Sequence, residues 1–190
     1  MDNPTVVNAL QTKFGTAVIH VVEFRGQLII WVAPEQIVAI CTYLRGDPQF
    51  RYNYLSDLAG LDRLNMHMES LPSGRSPEAA NDELRFVVNY QLLSLPNKHR
   101  VWLKAGLPAS DPRLPSVTGV WATADFHERE VFDLFGIIFE GHPNLKRILL
   151  PDDWDGFPLR RDHPLGYEEV QFSHNFERIQ KQKTYAKRGA

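Results

Sequence analysis

Val6, Ala9 and Leu10 recur at helical spacing near the start of the chain and Gly15 follows, which predicts a short amphipathic helix over Pro4 to Lys13. The pattern then turns to β-branched runs. "TAVIHVVEF" and "QLIIWVA" flank Arg25-Gly26 and predict a β-hairpin. In "PEQIVAICTYLRGDP", Ile37, Ile40, Cys41 and Leu44 form a buried stripe, Pro34 suits a first helical turn, and Gly46 and Pro48 end the helix. "FRYNYLSDLAGLDRL" opens with aromatics alternating with polar residues, as a strand does, and passes into a loop running to about Glu83. Within that loop, residues 70–81 have turn and disorder composition and are the candidate mobile segment. "LRFVVNYQLLSLP" and "KHRVWLKAGLP" predict two further strands joined around Pro96-Asn97.

The order helix, two strands, helix, three strands predicts a two-layer α+β domain over residues 1–115, α-β(2)-α-β(3), with a mixed sheet and helices on one face. Another helix is predicted from Val117 to Phe135, because Val120, Trp121, Ala124, Val131, Leu134 and Phe135 fall on one side and Gly136 terminates it. Beyond Gly136, "GHP" and "LPDDWDGFPLRRDHPLG" carry too many Gly and Pro residues for a long regular element. Residues 116–166 are therefore expected to be one helix and an extended segment, and 167–190 a polar, basic tail.

With 190 residues and 43% hydrophobic content, the chain can bury an ordinary core. A net charge of -2 gives no support to a nucleic-acid binder. The single cysteine, Cys41, excludes an internal disulfide and any multi-cysteine iron–sulfur site, and its place on the apolar stripe makes it a small buried hydrophobe. The missing disulfides suit a reducing compartment. No basic stretch followed by an apolar run opens the chain, so no secretory signal is expected. No apolar run approaches the roughly 20 residues of a membrane-spanning helix.

His127, Glu128, Glu130 and Asp133 invite a metal reading, since residues three or four apart share a helix face. However, HExxH is absent, and so is a second Glu-x-x-His helix. The acids are better read as partners of basic residues in the tail. Glu128 shares a register with Ala124, Val131 and Phe135, which draws its carboxylate inward and demands a partner. Lys146, Arg147, Arg160 and Arg161 are the available cations, and Arg160 or Arg161 is expected to pair with it. Asp152, Asp153 and Asp155 lack the ligand layout of a calcium loop and form an Asp-rich turn anchored by Trp154. Phosphate loops, G-x-G-x-x-G and nucleophile motifs are all absent, so the residues do not describe a catalyst. Phe135, Phe139, Leu149, Leu150, Trp154, Phe157 and Leu159 are more apolar surface than a solvated tail exposes. Either they fold back on their own domain or a partner buries them, and the composition favours the partner.

Glu128-Arg129-Glu130, Asp133-Leu134-Phe135-Gly136, Gly141-His142-Pro143 and Lys146-Arg147-Ile148-Leu149 together resemble the signature of one family. It is the C subunit of the proton-translocating NADH:quinone oxidoreductase, respiratory complex I. The likeness continues through "PDDWDGFPLRRDHPLG", is strong from Asp111 to Gly166, and is loose before that, through "NYLSDLAGLD" and "PRLPSV". The resemblance implies a hydrophilic peripheral-arm subunit on the cytoplasmic side of the membrane, in the separate rather than the fused form. It implies that FMN, iron–sulfur clusters and quinone are held by other subunits. Its C-terminal extension would wrap the D subunit, with B and I as further neighbours, and the signature residues, including Trp154, Arg160 and Arg161, would be structural. A J subunit of a ferredoxin-driven complex and a subunit of a membrane-bound hydrogenase share the architecture. The run "DHPLGYEEVQFSHN" favours the respiratory type.

Overall fold

A computed structural model describes residues 2–64 and 84–164. The segments 70–81 and 167–190 singled out above lie outside the described residues. Helix α1 (Asn3–Phe14) ends at Gly15, and a hairpin of β1 (Val18–Phe24) and β2 (Gln27–Val32) turns at Arg25-Gly26. Helix α2 (Ile37–Gly46) buries Ile37, Ile40, Cys41 and Leu44. Strands β3 (Tyr54–Asp62), β4 (Phe86–Ser94) and β5 (His99–Leu107) complete a five-stranded sheet in the order β1-β2-β5-β4-β3. Within this sheet β2 and β5 run parallel and the other neighbours antiparallel, so the sheet is mixed and the chain is α+β, as expected.

Register explains which face is covered. Ile30 lies beside Leu103, Leu103 beside Tyr90, and Tyr90 beside Leu58, and all four are buried. Val6 and Leu10 of α1 and the α2 stripe join them in one core. Each such side chain contributes about 1.5–3 kcal/mol on burial, more than the helix propensity of any single residue. Packing therefore holds these short helices. A polar link reinforces α1: the Tyr52 hydroxyl meets His99 Nδ1 at 2.6 Å, and His99 Nε2 meets Asn3 Oδ1 at 2.9 Å.

Two boundaries differ from expectation. Phe50 ends a turn and residues 51–53 are irregular, so the strand starts only at Tyr54, although Phe50 and Tyr52 are fully buried. Helix α3 spans Ala124–Phe135 rather than starting at Val117. Residues ahead of it are held otherwise: β6 (Arg113–Pro115) pairs in parallel with β7 (Ile138–Glu140), and Ser116 N–H continues the ladder to the Glu140 carbonyl. Val120 and Trp121 are buried, but on turns whose N–H groups donate to the Val117 carbonyl.

Gly60 of β3 sets the place of α3. It pairs with Val88 on the helix-covered face, and a Cβ there would come within 2.7 Å of Phe135 Cδ2. Only a glycine lets the helix lie this close to the strand.

Candidate functional site

The C-terminal half of α3 and the segment that follows form one built unit. Asp133 is fully buried, and one oxygen, Oδ2, accepts from the consecutive amides of Ile148, Leu149 and Leu150 at 3.0, 2.8 and 2.9 Å. Its other oxygen receives Arg147 Nη1 at 2.8 Å. Burial raises the Asp133 pKa, but these four bonds outweigh it and hold the carboxyl below its usual range. Arg147 also reaches the carbonyls of Asp133, Trp154 and Gly156, while Arg129 donates to those of Lys146 and Arg147. The chain from 146 to 156 is thus folded around a single ion pair.

This corrects the expected pin. The acid that holds the segment is Asp133 and its cation is Arg147. Glu128 lies five residues earlier, about 140° around the helix, and faces the core instead. There Ser116 Oγ donates to Oε2 at 2.6 Å and the Val117 amide to Oε1 at 2.7 Å. Among the described residues no cation pairs with Glu128. Burial pushes its carboxyl up to about 7, against the opposing effect of those two bonds. With the Val117 amide on Glu128 and the Ser116 amide on the Glu140 carbonyl, these two residues are held beside the β6–β7 pairing.

Arg160 and Arg161 have other work. Arg160 Nε donates to the Phe135 carbonyl at 2.6 Å, and Leu159 N–H donates to Leu134 O. With Gly136 N–H on Phe132 O and Arg147 on Asp133 O, all four terminal carbonyls of α3 are satisfied. Arg161 donates its amide to Asp62 Oδ2 and its guanidinium to the Leu64 carbonyl. Asp62, buried at the end of β3, also binds Arg85 at 2.6 Å, and Arg85 bridges on to Asp162 at 2.7 Å. The sequence offered one signal for this clamp, a carboxylate closing an apolar strand, and carried no hint of a partner 99 positions away.

Gly136 has φ +70°, and a Cβ on it would lie 2.5 Å from the Phe157 ring. Gly136→Ala is expected to cost about 1–2 kcal/mol from the left-handed backbone alone, with more from displacing Phe157. A urea midpoint equal to that of the native chain would contradict this. His142 is enclosed: Nδ1 accepts the Asn144 amide at 3.0 Å, which leaves Nε2 to donate to the Asp125 carbonyl at 3.2 Å. Gly141 turns the chain at φ +78°, and Pro143, Lys146 and Glu130 are exposed. His127 Nδ1 lies 3.9 Å from Asp57 Oδ1. Among the described residues, no group of three or more His, Cys, Asp or Glu is placed to hold a metal ion.

The apolar residues of the segment divide. Phe135 and Phe139 belong to the core, and Leu150 and Phe157 are half-buried. Leu149 is 62% exposed, Leu159 51% and Trp154 43%, and Ile148 is exposed as well. These four stand on backbone fixed by Asp133, Arg147 and Arg160.

The same α+β architecture is found in solved structures. A trypsin-resistant fragment (1-134) of Nqo5 matches with a TM-score of 0.58 and 33% identity over 76% of this chain and 100% of that chain. A chain of the membrane-bound sulfane sulfur reductase, an archaeal respiratory membrane complex, shares the fold at a TM-score of 0.62 and 17% identity, covering 98% of this chain and 94% of its own. The C subunit of the NADH-quinone oxidoreductase of Roseiflexus castenholzii is 48% identical over 98% of both chains. Its counterpart in Herpetosiphon aurantiacus is 40% identical over 98% of this chain and 99% of that one. Residues 30–169 match the family described as "Respiratory-chain NADH dehydrogenase, 30 Kd subunit", and the chain belongs to that family.

Proposed function

We propose that this chain is the C subunit of a proton-translocating NADH:quinone oxidoreductase and serves it as a scaffold. It docks on the D subunit, with B and I as further neighbours, on the cytoplasmic side of the membrane. FMN, iron–sulfur clusters and quinone are carried by other subunits, and this chain's contribution is to hold them in fixed relation. Electron transfer and quinone positioning depend on geometry, so a rigid bracket has direct catalytic value to the assembly. No helix among the described residues is long and apolar enough to cross a membrane.

The carrying observation is the pinned segment that presents Ile148, Leu149, Trp154 and Leu159 outward. Large apolar side chains on immobilised backbone lose little further entropy on binding, which makes them effective interface anchors. Leu149→Asp combined with Trp154→Ala leaves the core and the Asp133 cradle untouched. Recovery of the D subunit with tagged chain from detergent-solubilised membranes is expected to fall at least about tenfold, since losing interface anchors costs ~2 kcal/mol or more. The thermal melt of the isolated chain should hardly move. Native chain recovered without multi-subunit partners would overturn the proposal.

A further inference from the structure

Arg160 is half-buried, its guanidinium held by packing and by one hydrogen bond. Its Nε is held by the Phe135 carbonyl, and its guanidinium lies 5.0 Å from the Phe86 ring centre and 4.6 Å from that of Phe157. Nη2 rests against Gly136, where a Cβ would approach within 2.7 Å. Yet neither Nη nitrogen has a hydrogen-bond partner among the described residues. Its neighbour Arg85 is different, paired with both Asp62 and Asp162. Burial and the Arg85 charge both work against the Arg160 cation, and Asp162 and Asp62 only partly offset them. Next to it, Leu159 is exposed.

A stacked guanidinium with a free edge is a preorganised fork for a planar anion, because its rotamer freedom is already spent. We propose that Arg160 is the ionic anchor of the docking surface, its unpaired Nη nitrogens receiving a carboxylate from the partner subunit beside Leu159. This rests on the docking reading above and adds its charge specificity. Charge balance favours a protein carboxylate. Arg85, Arg160 and Arg161 face Asp62 and Asp162, which leaves one net positive charge for one carboxylate to neutralise. An anionic membrane surface is held by clusters of several uncompensated cations.

Arg160→Gln and Arg160→Lys test this in the assembled complex on detergent-solubilised membranes. Native chain should be released progressively as salt rises, because the half-buried Nη charge draws the partner's carboxylate partly through solvent and salt screens that attraction. The glutamine variant should be retained at least about tenfold less at low salt, with a flatter salt dependence. A merely structural role, capping α3, would lower the melting temperature without changing the salt dependence. The lysine variant supplies a primary amine at the same place. Treatment with a carbodiimide should join the introduced amine to an Asp or Glu of the D subunit, located by mass spectrometry. No cross-link, or one only to a carboxylate of the same chain such as Asp162, overturns the anchor, as does native retention and salt slope in the glutamine variant. If the glutamine variant does not fold, the cross-link decides alone. If Leu149→Asp with Trp154→Ala blocks assembly while Arg160→Gln does not, the docking surface stands and the anchor falls. If neither change matters, both fall.

Discussion

Replacing Asp133 with alanine is expected to lower the unfolding free energy by about 3–5 kcal/mol, the cost of removing one partner from a buried ion pair. The carboxylate is inaccessible to solvent and serves four donors, so its loss strands the Arg147 guanidinium and three backbone amides together. Nearby carbonyls do not replace it, because those of Asp133, Trp154 and Gly156 already accept from Arg147 and carry no negative charge to offset the guanidinium. Asp133→Asn keeps an oxygen for the amides but not the charge, so an intermediate loss is expected. Urea titration should show a lower midpoint at an unchanged slope. The segment should also loosen ahead of global unfolding, so trypsin is expected to cut after Lys146 or Arg147 in the alanine variant and spare them in the native chain. A native-like midpoint with continued protection would show that the segment is held by something else. The pH behaviour has a definite sign. A carboxyl held below its usual range stabilises the fold above the ordinary carboxylate pKa, and that stabilisation fades as pH falls through the lowered value.

Glu128 has the opposite sign. Its carboxyl rises from an ordinary 4.5 to about 7 in the folded chain, chiefly through burial. Below pH 4.5 it is neutral in both folded and unfolded chains and has no effect on the balance. Between 4.5 and 7 the unfolded chain releases the proton and the folded chain keeps it, so stability falls as pH rises. Above 7 the full penalty is present, on the order of 3 kcal/mol at about 1.36 kcal/mol per pKa unit. Glu128→Gln preserves both contacts: the amide oxygen accepts the Val117 N–H, and the amide nitrogen donates to Ser116 Oγ, which also lies 2.8 Å from Thr118 Oγ1. That variant should match or exceed the native chain at about pH 8 and lose the difference at pH 4.5. Urea unfolding at the two pH values, taken as native minus variant, removes the contribution of every other carboxylate. Parallel curves for the two proteins would show that Glu128 is not the group responsible.

Much of the fold was legible because its signals are local. Ile37, Ile40, Cys41 and Leu44 repeat at the helical period and are all buried on α2, and Arg25-Gly26 between two β-branched runs is the hairpin turn. The start of α3 was misread for a physical reason. Val120 and Trp121 are buried in phase with Ala124, but a pair of tight turns places them there without a continuous helix. Periodicity reports burial, and turns can imitate it. What holds residues 116–118 is the Glu128 carboxylate and the β6–β7 pairing, and neither leaves a trace in local spacing.

The candidate site divides in the same way. The sequence supplied the right inventory, acids on one helix and arginines in the segment beyond it, and its signature was enough to indicate the family. It could not assign partners. Asp133 rather than Glu128 holds the segment because of where each points around the helix axis, and Arg161 answers to Asp62, on a strand far away in sequence. Phe135 and Leu149 are similar in hydropathy, yet one closes the core over Gly60 and the other faces solvent at 62% exposure. Composition and period alone determined the helices and sheet strands up to Leu107 and their order, and raised the expectation of a surface for a partner. Which acid meets which cation, and which apolar side chains remain outside, was decided only by tertiary structure. Charge pairing and burial depend on distance in space, and the chain sets that distance only once the sheet, α3 and the extended segment have packed together.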